Sequence, residues 1–128
     1  MLGSSKAFGS FSTDSVERAA QFYGETLGID ATVMDHKGPM LTLTFAHGAT
    51  FLIYEKEDHQ PATHTVLMFP VDDVDDVVAR LRAAGVVPES MPFSDEDGVA
   101  RDPHGGMPTT AWFKDPAGNW ISVLEAQA

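Results

Sequence analysis

The sequence predicts an α+β fold built from two βαβββ units. An internal repeat is the first sign. Shifted by 58 positions, Phe11 falls on Phe69, Asp14 on Asp72, Val16 on Val74 and Tyr23 on Leu81. The second sign is periodicity: each half passes from alternating apolar residues to a 3.6-residue stripe and back. The third is punctuation, because each predicted helix ends on a glycine, Gly28 or Gly85. A repeat of this size marks two copies of a unit too small to bury its apolar face alone.

Lys6 to Ser12 alternates apolar and small polar residues and reads as the opening strand. Asp14 fits a helix N-cap, and Glu17 follows three residues later as in a capping box. Val16, Ala19, Ala20, Tyr23 and Leu27 then form the apolar stripe. Strands follow at Ala31 to Met34, Met40 to Phe45 and Phe51 to Glu55, with turns at Gly38-Pro39 and His47-Gly48.

Glu57 to Ala62 is polar, contains Pro61 and reads as the linker. Thr65 to Val71 restarts the pattern. Asp72 or Asp73 caps a helix with the stripe Val74, Val77, Val78 and Leu81, and Val86-Val87 opens a short strand. Ser94 to Met107 is a long loop rich in Gly, Asp and Pro, which suggests a functional or mobile segment. Thr109 to Lys114 and Trp120 to Leu124 are strands joined by Asp115-Pro116-Ala117-Gly118-Asn119, a turn in which Pro sets φ and Gly and Asn tolerate positive φ. The units therefore span residues 6–58 and 63–126 of a single domain, 1–128. Their eight strands are expected to curl into one open cup with helices outside and a ligand on the concave face.

Composition narrows the function. A chain of 128 residues, 43% hydrophobic, has enough material for a substantial core. No apolar run approaches the roughly 20 residues of a membrane span, and Met1 to Lys6 lacks a signal peptide's apolar stretch. There is no cysteine, which excludes disulfides, thiolate metal sites and cysteine nucleophiles, and a cytoplasmic location is expected. The net charge of −11 argues against nucleic acid and favours a cationic ligand wherever the acids converge.

Three stretches carry a family resemblance: Phe22-Tyr23-Gly24-Glu25-Thr26-Leu27-Gly28, Val71-Asp72-Asp73-Val74-Asp75 and Asp115-Pro116-Ala117-Gly118-Asn119-Trp120. With them the chain resembles the vicinal-oxygen-chelate superfamily, which includes glyoxalase I, bleomycin-resistance proteins and extradiol dioxygenases. The likeness spans about residues 6 to 126. In metal-dependent relatives, ligands come from the first and last strands of each unit. The resemblance places those positions at Phe8, Val66, Ile53 and Ser122. None is His, Glu or Asp, so no metal and no other cofactor is expected.

Residues two apart on a strand share a face. Phe8, Ser10 and Ser12; His64, Val66 and Met68; Phe51, Ile53 and Glu55; and Trp120, Ser122 and Leu124 are therefore expected to line the cup. The candidate ligand-binding residues are Phe8, Ser10, Ser12, Phe51, Ile53, Val66, Met68, Trp120 and Ser122. His104 joins them from the long loop, where glycines on both sides of a loop segment suggest a lid hinge. His64 and Glu55 are the candidate acid–base pair. Trp112 and Phe113 must face opposite ways, while His36, His47 and His59 read as surface residues near turns. The leading expectation is a metal-independent homodimer binding a small organic ligand, as the bleomycin-resistance branch sequesters a cationic drug. The rival is a lyase, isomerase or dioxygenase that uses a divalent metal or His64 chemistry.

Overall fold

Each half of the chain forms a four-stranded mixed sheet with its helical segment on one face, as the repeat predicts. The computed structural model describes residues 1–35 and 37–126; the expectation for His36 falls outside them. Contacts divide the chain into two compact units, Met1–Pro61 and Ala62–Ala128.

The first unit runs β1 (Gly9–Thr13), α1 (Val16–Ala20), a π-helical turn (Gln21–Thr26), β2 (Asp30–Asp35), β3 (Pro39–Thr44) and β4 (Thr50–Glu55). The sheet order is β1-β4-β3-β2, with β1 parallel to β4 and the other pairs antiparallel. The N-cap of α1 is Ser15, whose side chain accepts the Arg18 N–H at 3.2 Å. Asp14, the expected cap, instead pairs with the Arg18 guanidinium at 2.8 Å. The apolar stripe also changes. In the wider π-helical turn Leu27 N–H reaches Phe22 O, and the adjacent Phe22 and Tyr23 are both buried, their rings edge-to-face at 5.1 Å.

The second unit runs β5 (Thr65–Val71), α2 (Val74–Ala83), β6 (Val99–Ala100), β7 (Thr110–Lys114) and β8 (Trp120–Glu125), in sheet order β5-β8-β7-β6. Asp73 is the N-cap of α2 and accepts the Asp76 N–H. The expected strand at Val86-Val87 does not form. Val86 N–H folds back onto Leu81 O to close the helix, and Pro88 follows with no N–H to offer a ladder. The unit's short second strand, β6, lies inside the expected loop, where Val99, almost fully buried, pairs with Ala111.

The Asp115–Asn119 turn is a buried polar knot. Asp115 Oδ1 accepts the N–H groups of Ala117 and Asn119, and its Oδ2 accepts Asn119 Nδ2. Asn119 Oδ1 in turn accepts the N–H of Ala62 at 3.2 Å. Gly118 supplies the left-handed φ of 85° that closes the loop. Because Asp115 and Asn119 are 5% and 1% exposed, Asp115→Ala strands buried donors. It is expected to lower unfolding stability by about 3 kcal/mol, read as a shift in the urea midpoint.

Candidate functional site

Burial alternates along β1: Phe11 and Thr13 are buried, Ser10 is exposed and Ser12 half-buried. The buried face packs against α1 and its π-helical extension, where Val16, Ala19 and Tyr23 meet Phe11, Leu41, Leu43 and Ile53. Paired residues on neighbouring strands share a face. Gly9 pairs with Phe51, Phe11 with Ile53 and Thr13 with Glu55, so Phe51, Ile53 and Glu55 lie on the helix-covered face. The expectation that they line the ligand face is corrected by one residue, and a one-residue slip reverses every side chain on a strand. The Phe51 ring packs 5.5 Å from Phe11 and lies over Gly9, where an added Cβ would sit 2.5 Å from it. Ile53 is fully buried. Glu55 Oε1 accepts the N–H of Val16 at 2.9 Å and anchors the start of α1.

The far face of this sheet carries Ser10, Ser12, Thr42, Leu52 and Tyr54. Phe8 stands just before β1 and is 64% exposed. Ser12 has a partner that the sequence did not suggest. His59 Nδ1 lies 2.7 Å from Ser12 Oγ, bringing an imidazole to the edge of this face. His59 is half-buried rather than a plain surface residue, because the turn after β4 folds back when Lys56 N–H bonds to Thr13 O. Forty-seven positions separate Ser12 from His59, so no local motif signals the pair. His64 precedes β5 and is exposed, not on a strand as expected.

In the second unit, Leu67, Val99, Ala111, Phe113, Ile121 and Val123 share the buried face with Val74, Val78 and Leu81 of α2. The far face holds Met68, Ser122 and Trp112 in one cross-strand row, with Trp120 and Lys114 in another. Met68, Trp120 and Ser122 therefore share a face as expected. Val66 falls in a register shift between Thr65 and Leu67. Trp112 is the outward member of its pair, since Phe113 is 1% exposed. Lys114 Nζ sits 4.8 Å over the Trp120 ring, a cation–π contact.

A pocket of about 160 Å³ adjoins Trp112, lined by Phe93, Ala100, Arg101, Asp102, Met107, Pro108 and Thr110 as well. Phe93 stands edge-on to Trp112 at 5.6 Å. The surrounding loop is organised by carboxylates. Asp102 accepts the N–H groups of His104 and Met107, which places His104 at an exposed tip. Arg101 donates through both terminal nitrogens to Asp75 and through Nε to Asp95. These bonds, Asp75 first, hold its guanidinium above its ordinary value. The Asp95 carboxyl is held below the carboxylate range, chiefly by the Val99 N–H, with Arg101 and the Asp97 N–H adding to the effect and burial opposing it.

A divalent ion finds no donor set in the positions that the family resemblance marks. Phe8, Val66 and Ser122 stand at three, and at the fourth Ile53 is buried while its far-face neighbours on β4 are Leu52 and Tyr54. Carbon side chains do not ligate, and a lone hydroxyl is a poor ligand. Among the described residues no group of three or more His, Asp or Glu side chains is placed to hold a metal.

Two βαβββ units, each with a helix-covered sheet and the Asp-Pro-Ala-Gly-Asn knot in the second, define a duplicated α+β protein. The chain belongs to the Glyoxalase/Bleomycin resistance protein/Dioxygenase superfamily, whose sequence profile matches residues 10–123. Among solved structures it is similar to TnmS3, an antibiotic binding protein from Streptomyces sp. CB03234, with 26% identity, 99% of each chain covered and a TM-score of 0.73. A glyoxalase/bleomycin resistance protein from the same Streptomyces is 25% identical, with 92% of this chain and 97% of that one covered and a TM-score of 0.67. Lactoylglutathione lyase from Agrobacterium tumefaciens shares the fold at 19% identity, with 97% and 96% covered and a TM-score of 0.70. No curated protein matches the sequence. No helix among the described residues is long and apolar enough to cross a membrane.

A depressed carboxylate stabilises the fold above its unfolded value, about 3.9 for Asp, and that stabilisation is lost as pH falls through the lower folded-state value. The Val99 amide NMR shift is therefore expected to titrate below the usual Asp range and to lose that step in Asp95→Asn.

Proposed function

We propose that this chain is a metal-independent small-molecule-binding protein that takes up an aromatic or cationic organic compound. The carrying observation is the residue set at the four resemblance-marked positions: phenylalanine, valine, serine and a buried isoleucine whose far-face neighbours are leucine and tyrosine. The far faces supply what such a ligand needs. The first sheet offers Ser10, Ser12 and Tyr54, with Phe8 at its edge. The second offers Met68, Trp120 and Trp112, with Ser122, 2% exposed, between Met68 and Trp112. Aromatic rings give stacking area, and hydroxyls fix orientation. The net charge of −11 favours a cation over an anion. The similarity to TnmS3, described as an antibiotic binding protein, supports the same reading. We further propose that the protein works as a cytoplasmic homodimer without a cofactor.

A catalytic reading has one specific observation behind it, the Ser12–His59 hydrogen bond. An imidazole holding a serine hydroxyl can move a proton. Glu55, the expected partner of His64, is engaged at the start of α1 instead.

Thermal-shift screening against cationic and aromatic compounds tests the binding reading. A ligand at a hundred times its Kd adds about 2.7 kcal/mol, a rise of several degrees. A broad library that raises Tm nowhere argues decisively against it. Elemental analysis of the purified protein is expected to find no stoichiometric Zn, Ni, Mn or Fe, and finding one overturns metal independence.

A further inference from the structure

We infer that the pocket beside Trp112 is a binding site for one flat aromatic ring of a ligand that is not an anion. The inference deepens the small-molecule reading and rests on it. Its apolar walls are Phe93, Trp112, Met107 and Pro108. Phe93 and Met107 are 62% and 69% exposed, so apolar surface is held open at the rim.

The pocket has room for a ring. About 160 Å³ is close to the roughly 150 Å³ of an apolar cavity that admits benzene. One ring fits. The edge-to-face setting of Phe93 on Trp112 leaves two differently oriented ring surfaces at one place, which suits a third ring in stacked or edge contact.

Charge sets the exclusion. Arg101 lines the pocket, but its guanidinium faces Asp75 and Asp95. Asp102, also lining it, meets only backbone N–H groups of its own loop in the hydrogen bonds described above. Arg101 and Asp102 line the pocket, and the two further carboxylates on Arg101 leave this group of four with three negative charges against one positive. An anionic ligand must approach this excess and displace Asp75 or Asp95 to reach Arg101. A neutral or cationic ring meets no such barrier.

The walls are also held in place. Asp102 ties Met107 through its N–H, and Arg101 ties the strand end at Ala100 to α2 through Asp75. Ser94 Oγ, adjacent to Phe93, accepts the Met91 N–H at 2.7 Å. The rim is thus built before a ligand arrives, which lowers the cost of ordering it on binding.

Saturation-transfer NMR on the full chain, with benzyl alcohol, benzylammonium and benzoate in turn at about 150 mM salt, tests the proposal. Benzyl alcohol and benzylammonium are expected to bind, and benzoate at least about threefold more weakly. Phe93→Ala, which removes an exposed side chain, should weaken both by about tenfold, while Phe93→Tyr should retain them. Benzoate binding as tightly as benzyl alcohol overturns the proposal. So does unchanged binding in Phe93→Ala, or no transfer to any probe. A library ligand that raises Tm equally in wild type and Phe93→Ala would sink this pocket while leaving the broader binding function standing.

Discussion

Each sheet has four strands and a single helical segment, and that ratio governs the rest of the structure. One helix covers one face. Its apolar stripe, Val16, Ala19 and Tyr23 in the first unit and Val74, Val78 and Leu81 in the second, fills that side with Leu41, Leu43 and Ile53 or with Phe113, Ile121 and Val123. Side chains on the opposite face are released from this packing. They carry hydroxyls, thioethers and indoles rather than a continuous aliphatic layer. The period-two geometry of a strand turns this division into a residue-by-residue assignment, so register decides which side chains are free for chemistry.

The architecture was largely legible in the sequence because the signals were local and repeated. The 58-residue offset, the Gly28 and Gly85 helix stops and the Asp-Pro-Ala-Gly-Asn turn each act within a few residues. The errors arose where the deciding partner was distant or where two local readings competed. Phe51, Ile53 and Glu55 alternate equally well in either phase; only pairing with β1 fixes the phase, and it fixed them against the helix. Asp14 and Ser15 are both good caps, and Asp14 had a competing use in Arg18. Val86-Val87 reads as a strand by composition, yet the helix closure and Pro88 remove its ladder. The Ser12–His59 contact and the Phe93–Trp112 pair each join distant positions within one unit and leave no trace in spacing.

Superfamily membership leaves the chemistry of this chain open, and a few side chains on the shared fold decide it. The fold is shared with a lyase at 19% identity and with an antibiotic binding protein at 26%. A fold shared so widely leaves function to the residues placed on it. Here the buried faces keep the packing and the knot that hold the strands. The far faces carry indoles, hydroxyls and a methionine, a set suited to contact and desolvation more than to gripping an ion.

The Asp115–Asn119 knot bears on how the two repeats are separated. Asn119 Oδ1 holds the main-chain N–H of Ala62, so the second unit's closing turn clasps its own first residue. A dissected half that starts at Ala62 keeps this clasp, whereas one trimmed to the first strand residue, Thr65, loses the donor. The natural seam between the duplicated halves therefore falls at the Pro61–Ala62 peptide, a few residues ahead of the strand itself.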